Sequence, residues 1–278
     1  MMSEDLIKLL EQFLHDNELE WEWFEKIESF CKSYSLNIKY ITEVLNDPKV
    51  IPMIRGKFFE FTVQDELSKI LSNNYLVTNP RLNPQAGSHD IDVAIINQKN
   101  AKKYSAECKL AKKGSFRLQG GIRPFIEVKC MRSRTLGDKA AEQRSKLIGI
   151  PSTSLNIHKD QYIETDFDLV ITSLANAFFQ TNLETGLFVW KPTPKEQIFL
   201  SKININNQEE ALLKMYVARS KDLTANQTNN IKCSRQKCQD HNCNFIPNYP
   251  KIFFDVNTAE PLQPWLLIEK IEDLLDEN

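Results

Sequence analysis

The sequence predicts an α/β fold, a mixed central β-sheet flanked by helices, with an N-terminal helical region and a C-terminal extension. Three observations carry this. Two alternating apolar runs, Ile91 to Ile96 and Tyr104 to Leu110, flank a polar turn, which is the pattern of a β-hairpin. The segment Asp138 to Ile148 reads as a helix and precedes the apolar run Phe167 to Thr172, and a strand, helix, strand order favours a mixed sheet. The first fifty residues instead place apolar side chains three and four apart, as helices do. The expected organisation is a helical region over 1–50, a core over 51–205 and an extension over 206–278.

In chain order, Glu4 to Asp16 and Glu20 to Ser35 are expected helices, with Trp21, Trp23, Phe24, Phe30 and Cys31 serving packing. Pro48 and Pro52 punctuate the chain. An amphipathic helix follows from Arg55 to Asn73, built on Phe58, Phe59, Val63, Leu67, Ile70 and Leu71. After the hairpin, Asp138 would cap the next helix, and Gly149 and Pro151 would stop it. Phe167 to Thr172 reads as a buried strand. Leu187 to Trp190 and Ile198 to Leu200 are further expected strands, and Gln208 to Arg219 and Pro264 to Asp276 further helices.

The hairpin carries the chemistry. A symmetric register about the turn 97–103 sets Asp92 opposite Glu107 and Asp90 opposite Lys109. Directly opposed residues in an antiparallel pair have Cβ atoms about 4.5–5.5 Å apart, so carboxylates and an amine would share one face. Like charges that close repel unless a cation lies between them, and magnesium takes oxygen ligands of this kind. Asp92 has the better register, but Asp90 shares its face. The alternative is that these acids are solvated residues on a strand facing water.

An Asp followed by Glu-x-Lys on the adjacent strand resembles the PD-(D/E)XK nuclease superfamily, and most closely its type II restriction endonucleases. The resemblance runs from about Arg55 to Thr172, with the order helix, Asp strand, Glu-x-Lys strand, helix, strand; His89 stands where that family's name has proline. It implies a restriction-endonuclease-like core. It also implies that Asp92 and Glu107, with the Cys108 main-chain carbonyl, hold magnesium, and that Lys109 orients or helps to deprotonate water. Glu-x-Lys occurs a second time, as Glu127-Val128-Lys129, which leads into the Asp138 helix as a catalytic strand often does in that family. Both pairs stay open, with Glu107 and Lys109 favoured because a short hairpin brings them to Asp92. Glu60, in the preceding helix, could offer a further acid or simply complement the helix dipole.

The 278 residues, 41% hydrophobic, suffice for one large domain or a core with lobes. No apolar run is long enough for a membrane span, and the Met-Met-Ser-Glu-Asp start lacks a secretory signal pattern, so a cytoplasmic location without membrane partners is expected. Net charge is only −2, but Lys99 to Lys146 holds fourteen Lys and Arg against four acids, a local charge of +10. Residues 1–35 hold nine acids and three lysines. A basic segment in an acidic chain points to local, salt-sensitive contact with a polyanion, though lysine-rich faces are also often merely solvated. Lys112 and Lys113 are candidate phosphate contacts. Arg117, Arg123, Arg132 and Arg134 are candidates for phosphate or guanine. Eight glycines form no phosphate-cradling loop and no Gly-x-Ser-x-Gly elbow, and four histidines give no preferred Ser-His-Asp arrangement.

Six unevenly spaced cysteines argue against a disulfide framework. Cys233, Cys238, His241 and Cys243, within eleven residues, match the donor set of a closed structural zinc site; the alternative is free thiols in a loop. The expected function is magnesium-dependent endonucleolytic cleavage of double-stranded DNA. By resemblance it would be sequence-specific, acting as a homodimer beside a companion DNA methyltransferase. Two alternatives stand: a repair or junction-resolving nuclease, and a zinc-bearing nucleic-acid-binding module that does not cut.

Overall fold

The computed structural model describes residues 22–80, 91–132 and 135–276. The expected helix from Glu4 to Asp16, and Asp90 and Arg134, lie outside these residues. The chain divides into two compact units, Met1–Ile54 and Arg55–Asn278. In the first, α1 spans Glu22–Ser33 and α2 Ile41–Leu45.

Helix α3 spans Ile51–Ile70. It begins four residues before the expected start, because Pro52 falls in its first turn, where a missing N–H costs no helical bond. Phe59, Val63 and Leu67 form its buried stripe. Among the described residues the central sheet has six strands, adjacent in the order β1 Tyr75–Thr78, β2 Val93–Asn97, β3 Lys103–Cys108, β6 Leu169–Ser173, β9 Met215–Arg219 and β11 Leu266–Leu267. All neighbours are antiparallel except β3 and β6. The sheet is therefore mixed, as expected, with helices flanking it. Residues 206–278, expected as an appended extension, complete the sheet through β9 and β11.

Between β3 and β6 lie β4 Arg117–Gln119, β5 Arg123–Glu127, α4 Asp138–Ile148 and α5 Ser152–Ile157. Strands β4 and β5 form a second sheet with β10, Lys251–Phe253. Their turn passes through Gly120 and Gly121, both at positive φ, the backbone that a tight hairpin turn requires and glycine supplies. Helix α4 matches its expected span, but Gly137, not Asp138, is the N-cap; Gly149 stops it in the left-handed conformation.

Later elements depart from expectation. Ile198 to Leu200 is not a strand: Pro194–Lys202 is a helix, α6, opened by a reciprocal capping box between Thr193 and Glu196. Gln208 to Arg219 is not one helix, since α7 stops at Leu213 and β9 follows. Pro264 to Asp276 begins with β11 and becomes α-helical only at Ile271–Asp276, α8. The Leu187 to Trp190 strand appears as β8, Phe188–Trp190, paired with β7, Phe179–Thr181.

The core has one apolar cluster on each face of the sheet. Leu169 and Ile171 pack with Val93, Ile95, Ala106, Val217 and α3, whereas Val170 packs with Val128, Cys130, Tyr216 and Phe254. The period of two along β6, buried on both sides, explains why it reads as a continuous apolar run. The parallel β3–β6 pair is pinned at its start by Asp168, which accepts from the Ser105 main-chain N–H (2.7 Å) and hydroxyl (2.8 Å).

The loop between α5 and β6 contains a buried acid, Asp166, which receives Arg132 (2.6 Å), Arg144 (2.5 Å) and the Ile163 main-chain N–H (2.9 Å). Arg132 also donates from Nε to the Gln161 carbonyl and lies over the Tyr162 ring. Removing one partner of a buried charge cluster costs about 3–5 kcal/mol, because the remaining charges are stranded. Asp166→Ala should therefore lower the unfolding free energy by about that much in a denaturant titration, whereas Glu184→Ala, at an exposed turn, should change it by well under about 1 kcal/mol.

Candidate functional site: a carboxylate centre and a thiolate knuckle

The β2–β3 hairpin pairs Val93 with Ala106, Ala94 with Ser105, Ile95 with Tyr104 and Ile96 with Lys103. Continued by one residue, this register sets Asp92 opposite Glu107, as the sequence predicts. Both acids are buried, at 8% and 6% exposure. They alternate with Val93, Ala106 and Cys108, which enter the apolar cluster on the α3 side, so Asp92 and Glu107 face the other way. Asp92 accepts the Cys108 main-chain N–H at 2.8 Å. Glu107 is ion-paired with Lys109 and accepts the Tyr162 hydroxyl at 2.7 Å.

These groups perturb one another. Burial, then the charge of Glu107, pushes Asp92 up to about 7; Glu60 adds to the rise and Lys109 opposes it. Glu60 therefore lies close enough to act on the centre electrostatically, and it is also ion-paired with Lys57. Burial works against the charge on Lys109, but Glu107, with help from Tyr162 and Asp92, holds the amine well above its ordinary value. Lys109 thus stays a cation and acts as a donor toward Glu107. Burial, then Glu107, raises the Tyr162 phenol as well, which keeps it a hydrogen-bond donor. Burial raises the Cys108 thiol far enough to make it inert; only its main chain is chemically available.

The second Glu-x-Lys sits elsewhere. Glu127 ends β5 in the three-stranded sheet and is ion-paired with Lys112 at 2.6 Å; Lys129 is exposed. The two Glu-x-Lys segments run side by side, since Ala111 bridges to Val128 and Lys129 N–H donates to the Leu110 carbonyl. Among the candidate nucleic-acid contacts, Lys112 is thereby paired, Lys113 bonds the Thr181 hydroxyl, and Arg117 donates to the carbonyls of Gly114 and Phe116. Arg123 is exposed on β5. Arg132 departs most from expectation, being committed to Asp166.

The metal-type cluster at the C-terminal loop also forms, with one ligand exchanged. His158, Cys233, Cys238 and Cys243 bring their ligand atoms within 4.8 Å of one another, and among the described residues they are the one such group of three or more His, Cys, Asp or Glu. This cluster could hold a metal ion. His241, the expected fourth ligand, is exposed and outside it. His158 is 2% exposed, stacks on Phe245 and presents Nε2 to Cys233 Sγ at 3.4 Å. Its Nδ1 lies 2.8 Å from the Ser154 carbonyl. A carbonyl there requires N–H at Nδ1, which leaves the Nε2 lone pair facing the thiols, the usual orientation of a metal-binding imidazole. A hydrogen bond from Cys243 lowers the Cys233 thiol, and the same bond, followed by burial, pushes Cys243 up to about 12. A bound cation would favour all three as thiolates.

The sequence reading missed His158 and Tyr162. His158 lies 75 residues from Cys233, and no local spacing rule reaches that far. Its available signal was chemical, as one of only four histidines in the chain.

Because Asp92 titrates near 7 folded and near its ordinary low value unfolded, the folded protein binds the extra proton between those limits and loses stability as pH rises through them. Asp92→Asn retains an acceptor for Cys108 but removes the titration. Its unfolding free energy relative to the parent should rise as pH goes from about 4 to 7 and level off above; a pH-independent difference in paired denaturant titrations would contradict the assignment. Comparison of the chain with protein-family models, with curated proteins and with solved structures gives no significant match.

Proposed function

We propose that the protein is a magnesium-dependent endonuclease that hydrolyses phosphodiester bonds in double-stranded DNA, in the manner of type II restriction enzymes. The observation that carries this reading is the buried pairing of Asp92 with Glu107 beside the charged Lys109. Two desolvated carboxylates at one end of a strand pair are unfavourable alone, and oxygen donors with an adjacent main-chain carbonyl, that of Cys108, suit a hard divalent cation. A bound magnesium ion would polarise the phosphoryl oxygen and lower the pKa of the attacking water. Asp92 and Glu107 supply its negative donors. Lys109, held protonated by Glu107, donates to the nucleophile or to a phosphate oxygen and so orients the attack. The exposed cations of the basic segment, Arg123 among them, would meet the backbone. No covalent intermediate is required.

Glu107→Gln and Lys109→Met should each lower plasmid cleavage in magnesium by about a hundredfold or more, the usual scale for an electrostatic catalytic group, with DNA binding in calcium largely retained. Lys129→Met, at the second Glu-x-Lys, should cut at nearly the parental rate. Normal cleavage by the first pair of variants, with loss in the third, would move the centre to Glu127.

The knuckle we read as a structural zinc site, tetrahedral with three thiolates and one imidazole. Elemental analysis of purified protein should give one zinc per chain. His158→Ala should lose most of it and His241→Ala should keep it. The reverse pattern would restore the ligand set expected from local spacing.

A further inference from the structure

We infer that the Cys/His knuckle controls the carboxylate centre through Tyr162, a positioning residue whose hydroxyl holds Glu107 only while the knuckle is closed around its metal. This rests on the reading of Asp92 and Glu107 as ligands of a divalent cation.

The two sites share one short segment. His158 is a knuckle ligand, and Tyr162, four residues later, bonds Glu107; four residues of chain span no more than about 14 Å even when extended. The side chains of the intervening residues Asp160 and Gln161 are tied to the knuckle loop. Asp160 is ion-paired with Arg235 and accepts Asn248 Nδ2 at 2.9 Å. Gln161, buried, donates to the Ile246 carbonyl at 2.8 Å and to Ser234 at 3.2 Å, and accepts Arg235 Nε at 3.3 Å. Ile246 N–H donates to the Tyr162 carbonyl at 2.8 Å, and Ile163 bridges to Phe245, the ring on which His158 stacks. Ser234 and Arg235 follow Cys233 directly, and Phe245 and Ile246 come just after Cys243. The side-chain contacts of Asp160 and Gln161 and the main-chain bond to the Tyr162 carbonyl therefore come from residues next to the thiol ligands, while Arg132 holds the Asp160 and Gln161 carbonyls.

At the other end, Glu107 Oε1 accepts the Tyr162 hydroxyl and is ion-paired with Lys109, and among the described residues Tyr162 is the donor that comes from a different segment of the chain. Its ring is wedged between Phe167, edge-on at 5.0 Å, and the Arg132 guanidinium at 4.8 Å. The hydroxyl fixes the Glu107 rotamer and shares its charge. Partners that orient a metal-binding carboxylate typically change metal affinity 10- to 100-fold when removed.

The test is a manganese titration followed by electron paramagnetic resonance, with Glu107→Gln as the control that lacks the centre. It uses the full chain, zinc-loaded and after zinc removal by dialysis against phenanthroline. Tyr162→Phe, which removes only the hydroxyl, should weaken manganese binding about 10-fold or more in the loaded protein. Zinc removal should weaken it by a similar factor, and Tyr162→Phe should then add little, because the hydroxyl is already displaced. Gln161→Met, which cuts the link but keeps all four ligands and the zinc, should reproduce much of the loss and covers the case in which the depleted protein unfolds. Unchanged manganese affinity in Tyr162→Phe, or in Gln161→Met together with depleted protein of intact circular dichroism, overturns the coupling alone. Failure of the parent protein to bind manganese overturns both the coupling and the nuclease reading.

Discussion

The ion pair of Lys109 with Glu107 is the interaction around which the site's other properties arrange themselves. It places a cation and an anion in a largely desolvated position, where each is tolerable only because of the other. Asp92, brought across by the strand pairing, adds a second carboxylate without a second cation, and burial, then the charge of Glu107, raises its proton affinity. Tyr162 stays a phenol and donates because burial, and then the same negative charge, resists its ionisation. The energetic tension lies in the side chains and is imposed by the backbone. The β2–β3 register cannot slip by one residue without turning Val93, Ile95 and Ala106 out of the core, so apolar packing on one face of the hairpin holds acids together on the other.

That division explains what the sequence made legible. Asp92 and Glu107 are connected by a short turn, and a hairpin's register follows from its ends; the apolar alternation around them then decides which face is which. The β6 strand was equally plain, because a run buried on both faces carries no polar interruption until it ends. The misread elements fail for identifiable reasons. Ile198, Phe199 and Leu200 are as apolar as a strand, but the Thr193, Pro194 and Glu196 signature ahead of them starts a helix, a local signal stronger than the composition of three residues. Met215 to Arg219 continues the apolar density of α7, and only its place between β6 and β11 makes it a strand. The Gly120-Gly121 pair is itself a local hairpin signal.

The knuckle shows the opposite limit. Three of its four ligands are close in sequence and suggested a self-contained loop with His241 as the fourth. In the fold the fourth ligand arrives from the end of α5, and this changes what the cluster is. A knuckle closed by His241 would staple only its own loop, whereas one closed by His158 fastens the C-terminal loop to the crossover between β3 and β6. Sequence spacing ranks ligands by chain distance, but the loop is held against α5 by buried contacts such as Phe245 on His158, and burial overrides proximity along the chain.

The basic segment needs the same correction from counting to placement. Of its fourteen cations, Lys109, Lys112, Arg132 and Arg144 are already paired with Glu107, Glu127 and Asp166. An internally paired cation releases few counterions when a phosphate approaches, since its charge is already compensated. The charge of +10 already nets off Glu107 and Glu127, and Asp166, outside the segment, offsets one charge more, so pairing decides chiefly where the attraction lies: on exposed residues such as Lys102, Lys103, Arg123, Lys129 and Lys139. Arg132 illustrates the trade. Its planar fork, suited to a guanine edge, is equally suited to a buried carboxylate, and in this fold it braces the ring of Tyr162 against the carboxylate centre. The charge that suits a nucleic-acid contact is in this fold engaged by Asp166 and the ring of Tyr162.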